Sequence, residues 1–214
     1  MRVRNKAWAQ PLLDEHPDFV TQTPEQLIGK WQARFEQTQP LQVEIGTGKG
    51  HFIIGMAKAH TDINFVGIEI QKSVIAAAVK LALPENLPNL QFAYGSGESV
   101  TTYFANGEVD QIFLNFSDPW PKTRHAKRRL TYKTFLHDYQ QVLKPGGHIE
   151  FKTDNMGLFE FSLQSLNNYG MQFDGVWLDL HNSDENENNV QTEYEQKFSA
   201  KGQPIYKLKA HFDE

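Results

Sequence analysis

Three short stretches carry residue types that could do chemistry together. In "VEIGTGKGHF" (43–52), Gly46, Gly48 and Gly50 lie between a strand pattern and a helix pattern. Glycine there lets the backbone approach a ligand closely and take positive φ. Glu69 closes the next strand pattern, where a carboxylate can accept hydrogen bonds from both hydroxyls of a ribose. No Lys followed by Ser or Thr completes a Walker loop, and the spacing is GxGxG rather than GxGxxG. That favours a nucleoside cofactor without a pyrophosphate over a nucleotide; the plain alternative is a glycine turn beside a surface glutamate. "YGSGES" (94–99) puts Ser96 where it could reach an adenine edge or merely hold a turn. "SDPWP" (117–121) sets Asp118 on a turn stiffened by two prolines, above the place where a cofactor's reactive end would lie.

Directly after that turn, Lys122, Arg124, Lys127, Arg128, Arg129 and Lys133 fall within twelve residues that contain no acid. Such a run has the charge density to grip phosphates, whereas a solvated helix face usually mixes both signs. The formal net charge of -5 hides this segregation. Residues 153–196 hold nine acids and no Lys or Arg, so the rest of the chain carries 21 bases against 17 acids. An acidic total does not exclude a polyanion partner.

The elements that must position these residues alternate. "LQVEI" (41–45), "NFVGIEI" (64–70), "LQFAY" (90–94), "VDQIFLNF" (109–116) and "GHIEFKTD" (147–154) read as strands, with helical patterns between them. After the basic run, Tyr132, Phe135, Leu136, Tyr139, Val142 and Leu143 keep helical spacing until "KPGG" stops it. Strict alternation predicts a parallel sheet covered on both faces, with ligands beyond the carboxyl ends of its strands. A helix near 156–169 then leads to strands at 173–180 and 204–212, which should pair antiparallel. The polar stretch 181–196 between them reads as an exposed loop. Within residues 1–40, "TPEQLIGKWQARF" opens like a capped helix.

At 214 residues, 39% hydrophobic and 22% charged, the expectation is one domain: a helical extension at 1–40 on a core at 41–214. The absence of cysteine excludes disulfides, thiolate zinc sites and cysteine nucleophiles and fits a reducing compartment. No apolar run approaches the roughly 18 to 20 residues of a membrane span, so a cytoplasmic protein with no membrane contact is expected. The eight histidines are scattered without HxH or HExxH spacing, so no metal is expected. No GxSxG elbow supports a serine hydrolase.

Together "EIGTGKG", "GIEI", "FSDPWPKTRHAKRRL", "FKTDN" and "TEYEQKF" resemble the bacterial tRNA (guanine-N7)-methyltransferases along essentially the whole chain, and the DPWPKxRHxKRRL block is the most specific part. The resemblance implies a Rossmann-like class I methyltransferase fold: a mostly parallel seven-stranded sheet with its last strand antiparallel and helices on both faces. It implies S-adenosylmethionine as cofactor and the variable-loop guanosine of tRNA, position 46, as substrate. Glu44, Gly46, Gly48, Glu69, Ser96 and Asp118 match cofactor positions, Asp118 also being catalytic. Lys122, Asp154, Thr192, Glu193, Tyr194 and Glu195 match positions for the target guanosine. Arg124, His125, Lys127, Arg128 and Arg129 match positions on RNA. Where the family usually has an acidic residue or Asn followed by Ala, this chain has Ser96 and Gly97. Monomer and homodimer both stay open.

Guanine N7 has an in-plane lone pair and no proton to remove, so the enzyme's task is mainly alignment. Carboxylates can hold the base's N–H edge and offset charge developing on the ring, while cations hold the phosphates around it. A methyltransferase for a small molecule or protein would have no use for the basic run. A non-catalytic RNA-binding protein would not bind the cofactor.

Overall fold

The structure, a computed structural model, describes residues 6–213; residues 1–5, part of the expected N-terminal extension, and residue 214 lie outside the described residues. Its strands are β1 (Val20–Thr21), β2 (Leu41–Ile45), β3 (Asn64–Glu69), β4 (Leu90–Tyr94), β5 (Val109–Asn115), β6 (Leu143–Thr153), β7 (Gln172–Trp177) and β8 (Tyr206–His211). The α-helices are α1 (Ala9–Glu15), α2 (His51–Ala59), α3 (Lys72–Ala82), α4 (Val100–Tyr103), α5 (Lys133–Val142), α6 (Met156–Tyr169) and α7 (Glu193–Ser199). A parallel strand covered on both faces needs an unbroken apolar run, and β3 is buried at every position.

The eight strands form one sheet in the order β1-β4-β3-β2-β5-β6-β8-β7. All pairs are parallel except those of β8, which is antiparallel to both β6 and β7. The expected seven-stranded sheet with an antiparallel last strand is present, and β1 adds an eighth strand at the β4 edge. One apolar layer, with Ile53, Ala57, Ile75 and Val79, joins α1, α2 and α3 to one face. The other, with Phe135, Leu136, Tyr139, Leu158 and Phe159, joins α5 and α6 to the opposite face. Of the spaced apolar set read from the sequence, Phe135, Leu136, Tyr139 and Val142 are buried on α5, whereas Tyr132 is its N-cap and Leu143 already opens β6. From β2 the chain builds outward through β3 and β4 and then returns to the other side of β2 as β5. A crevice forms at such a reversal, beyond the carboxyl ends of the strands.

Two local expectations change. "TPEQLIGKWQARF" forms two 3₁₀ turns, Pro24–Leu27 and Trp31–Arg34, rather than one α-helix. Glu108 accounts for the break by accepting hydrogen bonds from the backbone N–H groups of Gly29 (2.9 Å) and Trp31 (3.2 Å) that a continuous helix would use itself. Gly29 sits at φ +68 between the turns, and Trp31 is fully buried with its indole N–H donating to the Tyr103 carbonyl at 2.8 Å. Tertiary packing overrides the local helical preference.

The polar stretch 181–196 is not a simple exposed loop. It contains the turns Leu180–Asn182 and Asp184–Asn188 and the start of α7. Glu195 within it is fully buried. Its carboxylate accepts from Lys152 Nζ at 2.8 Å and from Asn189 Nδ2 at 2.7 Å, and lies 2.9 Å from His181 Nε2. Burial alone would raise the Glu195 pKa, but the Lys152 charge and these hydrogen bonds outweigh it and hold the carboxyl below its usual range. Burial pulls Lys152 the other way, below the usual ammonium range, against the attraction of Glu195. With its donors gathered around Glu195, the pair is read as ionised.

Candidate active site

The crevice at the chain reversal holds two adjoining cavities. One, of about 350 Å³, lies over the ends of β2 to β5 and is lined by Gly46, Glu69, Ser96, Asp118, Trp120 and Arg128 among others. The second, of about 190 Å³, runs from the glycine loop to Thr192, Glu193 and Tyr194. Gly46, Asn115 and Phe116 line both.

The glycine loop leaves β2 with Gly46, Gly48 and Gly50 at φ +78, +59 and +82, backbone that side chains rarely tolerate. A Cβ added at Gly46 or Gly48 would meet nothing within 4 Å, so the space beside this backbone is open to a ligand. Beneath the loop Glu44 is almost wholly buried. Its oxygens accept from Thr47 Oγ1 at 2.5 Å and Asn115 Nδ2 at 2.8 Å. Glu44 thus ties β2, the loop and β5 together across the reversal. Asn115 and Thr47 were not among the residues expected in the site, although both stand inside the quoted sequence stretches.

Burial pushes the Glu44 pKa up from 4.5 to about 7. The folded state therefore binds more proton than the unfolded chain between those values, and stability falls as pH rises through that window. A shift of this size corresponds to roughly 3 kcal/mol. Glu44→Gln keeps a hydrogen-bonded amide in place without the titration. Urea unfolding at pH 5 and pH 8 is expected to give a smaller loss of stability for this variant than for wild type; parallel losses would contradict the assignment.

Glu69 closes β3 and is also largely buried. Its carboxylate accepts from the Gly48 N–H at 3.1 Å and the Gln71 N–H at 2.8 Å. Burial raises its pKa, the backbone donors oppose the rise, and the Asp118 charge adds to it. Ser96 lines the larger cavity, and its Oγ accepts from the Glu98 N–H at 3.2 Å. A Cβ at Gly97 would stand 2.5 Å from Ile45 Cγ2, so this chain's glycine there matches the β-branched residue facing it.

Asp118 is exposed, and among the described residues its carboxylate has no hydrogen-bond partner. The turn around it is held independently. Phe116 and Trp120 take positive φ, +50 and +43, an arrangement that persists only where surroundings enforce it. Arg129 supplies part of that enforcement, donating to the carbonyls of Pro119 (3.1 Å) and Trp120 (3.0 Å) while its guanidinium lies over Phe161 at 4.3 Å. Arg128 lies over the Trp120 ring at 4.8 Å.

A family model described as "Putative methyltransferase" matches residues 38–208. The tRNA (guanine-N(7)-)-methyltransferase of Limosilactobacillus fermentum is 66% identical over 212 residues, covering 99% of each chain. The chain belongs to this methyltransferase family. A relative of the same name from Lactiplantibacillus plantarum is 63% identical, again over 99% of each chain. Among solved structures, the 16S rRNA methyltransferase KamB matches with a TM-score of 0.63 at 14% identity, covering 87% of this chain and 92% of that one. The aminoglycoside-resistance methyltransferase Kmr matches at 0.58 with 16% identity, covering the same shares. These structures establish the class I methyltransferase fold alone.

In this methyltransferase the residues expected at the target base separate into two groups. Tyr194 lies tilted at 44° against Phe116 (centroids 5.1 Å apart) and donates to Asp154 Oδ2 at 3.3 Å. Glu193 pairs with Lys49 of the glycine loop at 2.8 Å, and that hydrogen bond lowers its pKa, with burial opposing it and the Lys49 charge adding a smaller lowering. Thr192, Glu193 and Tyr194 thus reach the smaller cavity. Glu195 does not; it is sealed below α7, and Thr192 Oγ1 accepts from its N–H at 2.8 Å to complete a capping box. Within the basic run, Lys122, Arg124 and Lys127 are exposed, and among the described residues no base of the run forms a salt bridge. His125 meets the Trp120 ring edge-on at 5.8 Å. Arg129, expected on RNA, is bound by the turn through two of its guanidinium nitrogens. Lys49 and Lys152 gave no local signal, because their partners are far along the chain.

Proposed function

We propose that this chain transfers a methyl group from S-adenosylmethionine to N7 of the guanosine at variable-loop position 46 of tRNA. The observation that carries this reading is the placement of an unpartnered carboxylate, Asp118, between an open glycine-lined cavity and a ridge of unpaired cations. The relatives named above support the substrate class.

The cavity suits the cofactor: Glu69 can accept ribose hydroxyls while its backbone donors keep it oriented, and the bare loop backbone leaves room for close approach. Bound there, S-adenosylmethionine supplies an electrophilic methyl group. The chain's own residues orient and shield. Asp118 accepts from the N–H edge of guanine and offsets positive charge developing on the ring. Tyr194, held against Phe116, offers an aromatic wall, and Asp154 and Glu193 keep the base side acidic. Lys122, Arg124 and Lys127 hold phosphates outside the pocket, and Arg128 holds them at its rim. No group needs to remove a proton before N7 attacks.

Incubation with labelled cofactor and tRNA lacking the modification should yield 7-methylguanosine on nucleoside analysis, and a transcript with adenosine at position 46 should not be labelled. Absence of 7-methylguanosine would refute the reading. The cations can be tested separately. Replacing Lys122, Arg124 and Lys127 by Ala should weaken tRNA binding, leave cofactor binding intact, and flatten the log–log salt slope by about 0.7 to 0.9 for each phosphate that is no longer neutralised. Equal slopes for variant and wild type would make the ridge mere surface. Arg129 is left in place because its loss would disturb the Asp118 turn.

A further inference from the structure

Histidines that look scattered in the sequence are collected by the sheet. His148 on β6 and His211 on β8 are register partners, and their rings lie edge to face with centroids 5.6 Å apart. On the next strand the β7–β8 register shifts between Phe173 and Gly175, and Asp174 is the residue left over at that bulge. Its two oxygens reach one ring each: Oδ2 lies 2.9 Å from His148 Nδ1 and Oδ1 lies 2.9 Å from His211 Nδ1. One ligand atom from each residue falls within 4.8 Å of the others. All three side chains are about a third exposed, at 33%, 28% and 32%, so the cluster is open to solvent on one side.

We propose that His148, Asp174 and His211 form a binding site for a divalent transition-metal ion, with Zn²⁺ the expected occupant, that clamps β7 and β8 to β6. Two imidazoles and one carboxylate are a donor set for Zn²⁺ and its neighbours Co²⁺, Ni²⁺ and Cu²⁺, whereas Mg²⁺ and Ca²⁺ take oxygen donors. Three protein ligands leave a position for water, as at other open zinc sites. Ligand bonds of roughly 2.0 to 2.2 Å require only that the rings and carboxylate close around a common centre and that each neutral ring carry its proton on Nε2. A β-bulge is a usual device for re-aiming one side chain, and here it brings the only carboxylate of the three to the two rings. The site stands away from the cleft: His148 precedes Thr153, at the cleft end of β6, by five residues, or roughly 16 Å of strand. Its effect is therefore structural. The segment between β7 and β8 carries Thr192, Glu193 and Tyr194, so the clamp holds both strands from which that segment hangs.

The test uses tag-free full-length protein stripped with chelator and dialysed. Calorimetric titration with Zn²⁺ alone should show one saturable site per chain, and Co²⁺ should give visible absorption bands of a nitrogen- and oxygen-ligated ion. His148→Ala and His211→Ala should each weaken Zn²⁺ binding by more than about a hundredfold, beyond the loss seen on removing an outer-sphere partner. Circular dichroism and retained cofactor affinity check that both variants fold. A measurement on the unaltered protein stands beside them: of the eight histidines, Zn²⁺ should shift the ring-nitrogen resonances of His148 and His211. Absence of saturable Zn²⁺ binding to wild type, undiminished binding by both variants, or shifts confined to other histidines would each overturn the proposal.

Discussion

Asp118→Asn is expected to lower single-turnover methyl transfer by about a hundredfold or more, with the fold intact and cofactor affinity changed far less. The size follows from removing one preorganised partner of the charge that develops in the transition state, which typically costs about 10² to 10³ in rate. Asparagine keeps the shape but exchanges an acceptor and a negative charge for a donor. The fold should not suffer, because the Asp118 carboxylate bonds to nothing within the described residues, and the turn is set by Arg129 and by the backbone at Phe116 and Trp120. The loss would be one of alignment and electrostatics, since N7 carries no proton. A tRNA with 7-deazaguanosine at the target gives the matched control and should bind wild type without accepting a methyl group. Near-normal turnover by Asp118→Asn, or methylation of the deaza substrate, would remove Asp118 from this role.

Glu195→Ala is expected to cost about 3 to 5 kcal/mol of folding stability, because it strands the Lys152 ammonium in a buried site. The capping box of α7 disappears with it. Replacing both partners by apolar residues, as in Lys152→Met with Glu195→Leu, should recover much of the loss. Urea unfolding of wild type, the single variant and the double variant measures this. A single variant within about 1 kcal/mol of wild type would show that the pair is not an anchor. Because Glu195 holds the base of the segment that brings Tyr194 against Phe116, the single variant should also raise the KM for tRNA.

The parallel strands β2 to β6 were legible because each carries its own apolar run, whereas the two-residue β1 has none; the glycine loop was legible because its three residues need a backbone few others accept. What escaped the sequence depends on partners far along the chain. Glu195 looked exposed because charge normally is, and its burial rests on Lys152, which lies in a different strand pattern. Arg129 looked like its basic neighbours, yet two carbonyls of the preceding turn bind its guanidinium. Residues 23–35 have the composition of a helix, and Glu108 takes the N–H groups that would have made it continuous. The cluster of His148, Asp174 and His211 had no motif spacing, since a sheet can gather side chains from three strands in any order.

The insertion of β8 between β6 and β7 also bears on how the chain is made. During synthesis β7 leaves the ribosome before residues 178–205 and before β8, which among the described residues is its only hydrogen-bonding neighbour in the sheet. Until β8 arrives, β6 and β7 each present an unpaired edge, a state prone to join with the edges of other nascent chains. The acid-rich segment that emerges next carries no Lys or Arg up to Gln196, and its like charge disfavours close contact between two such segments.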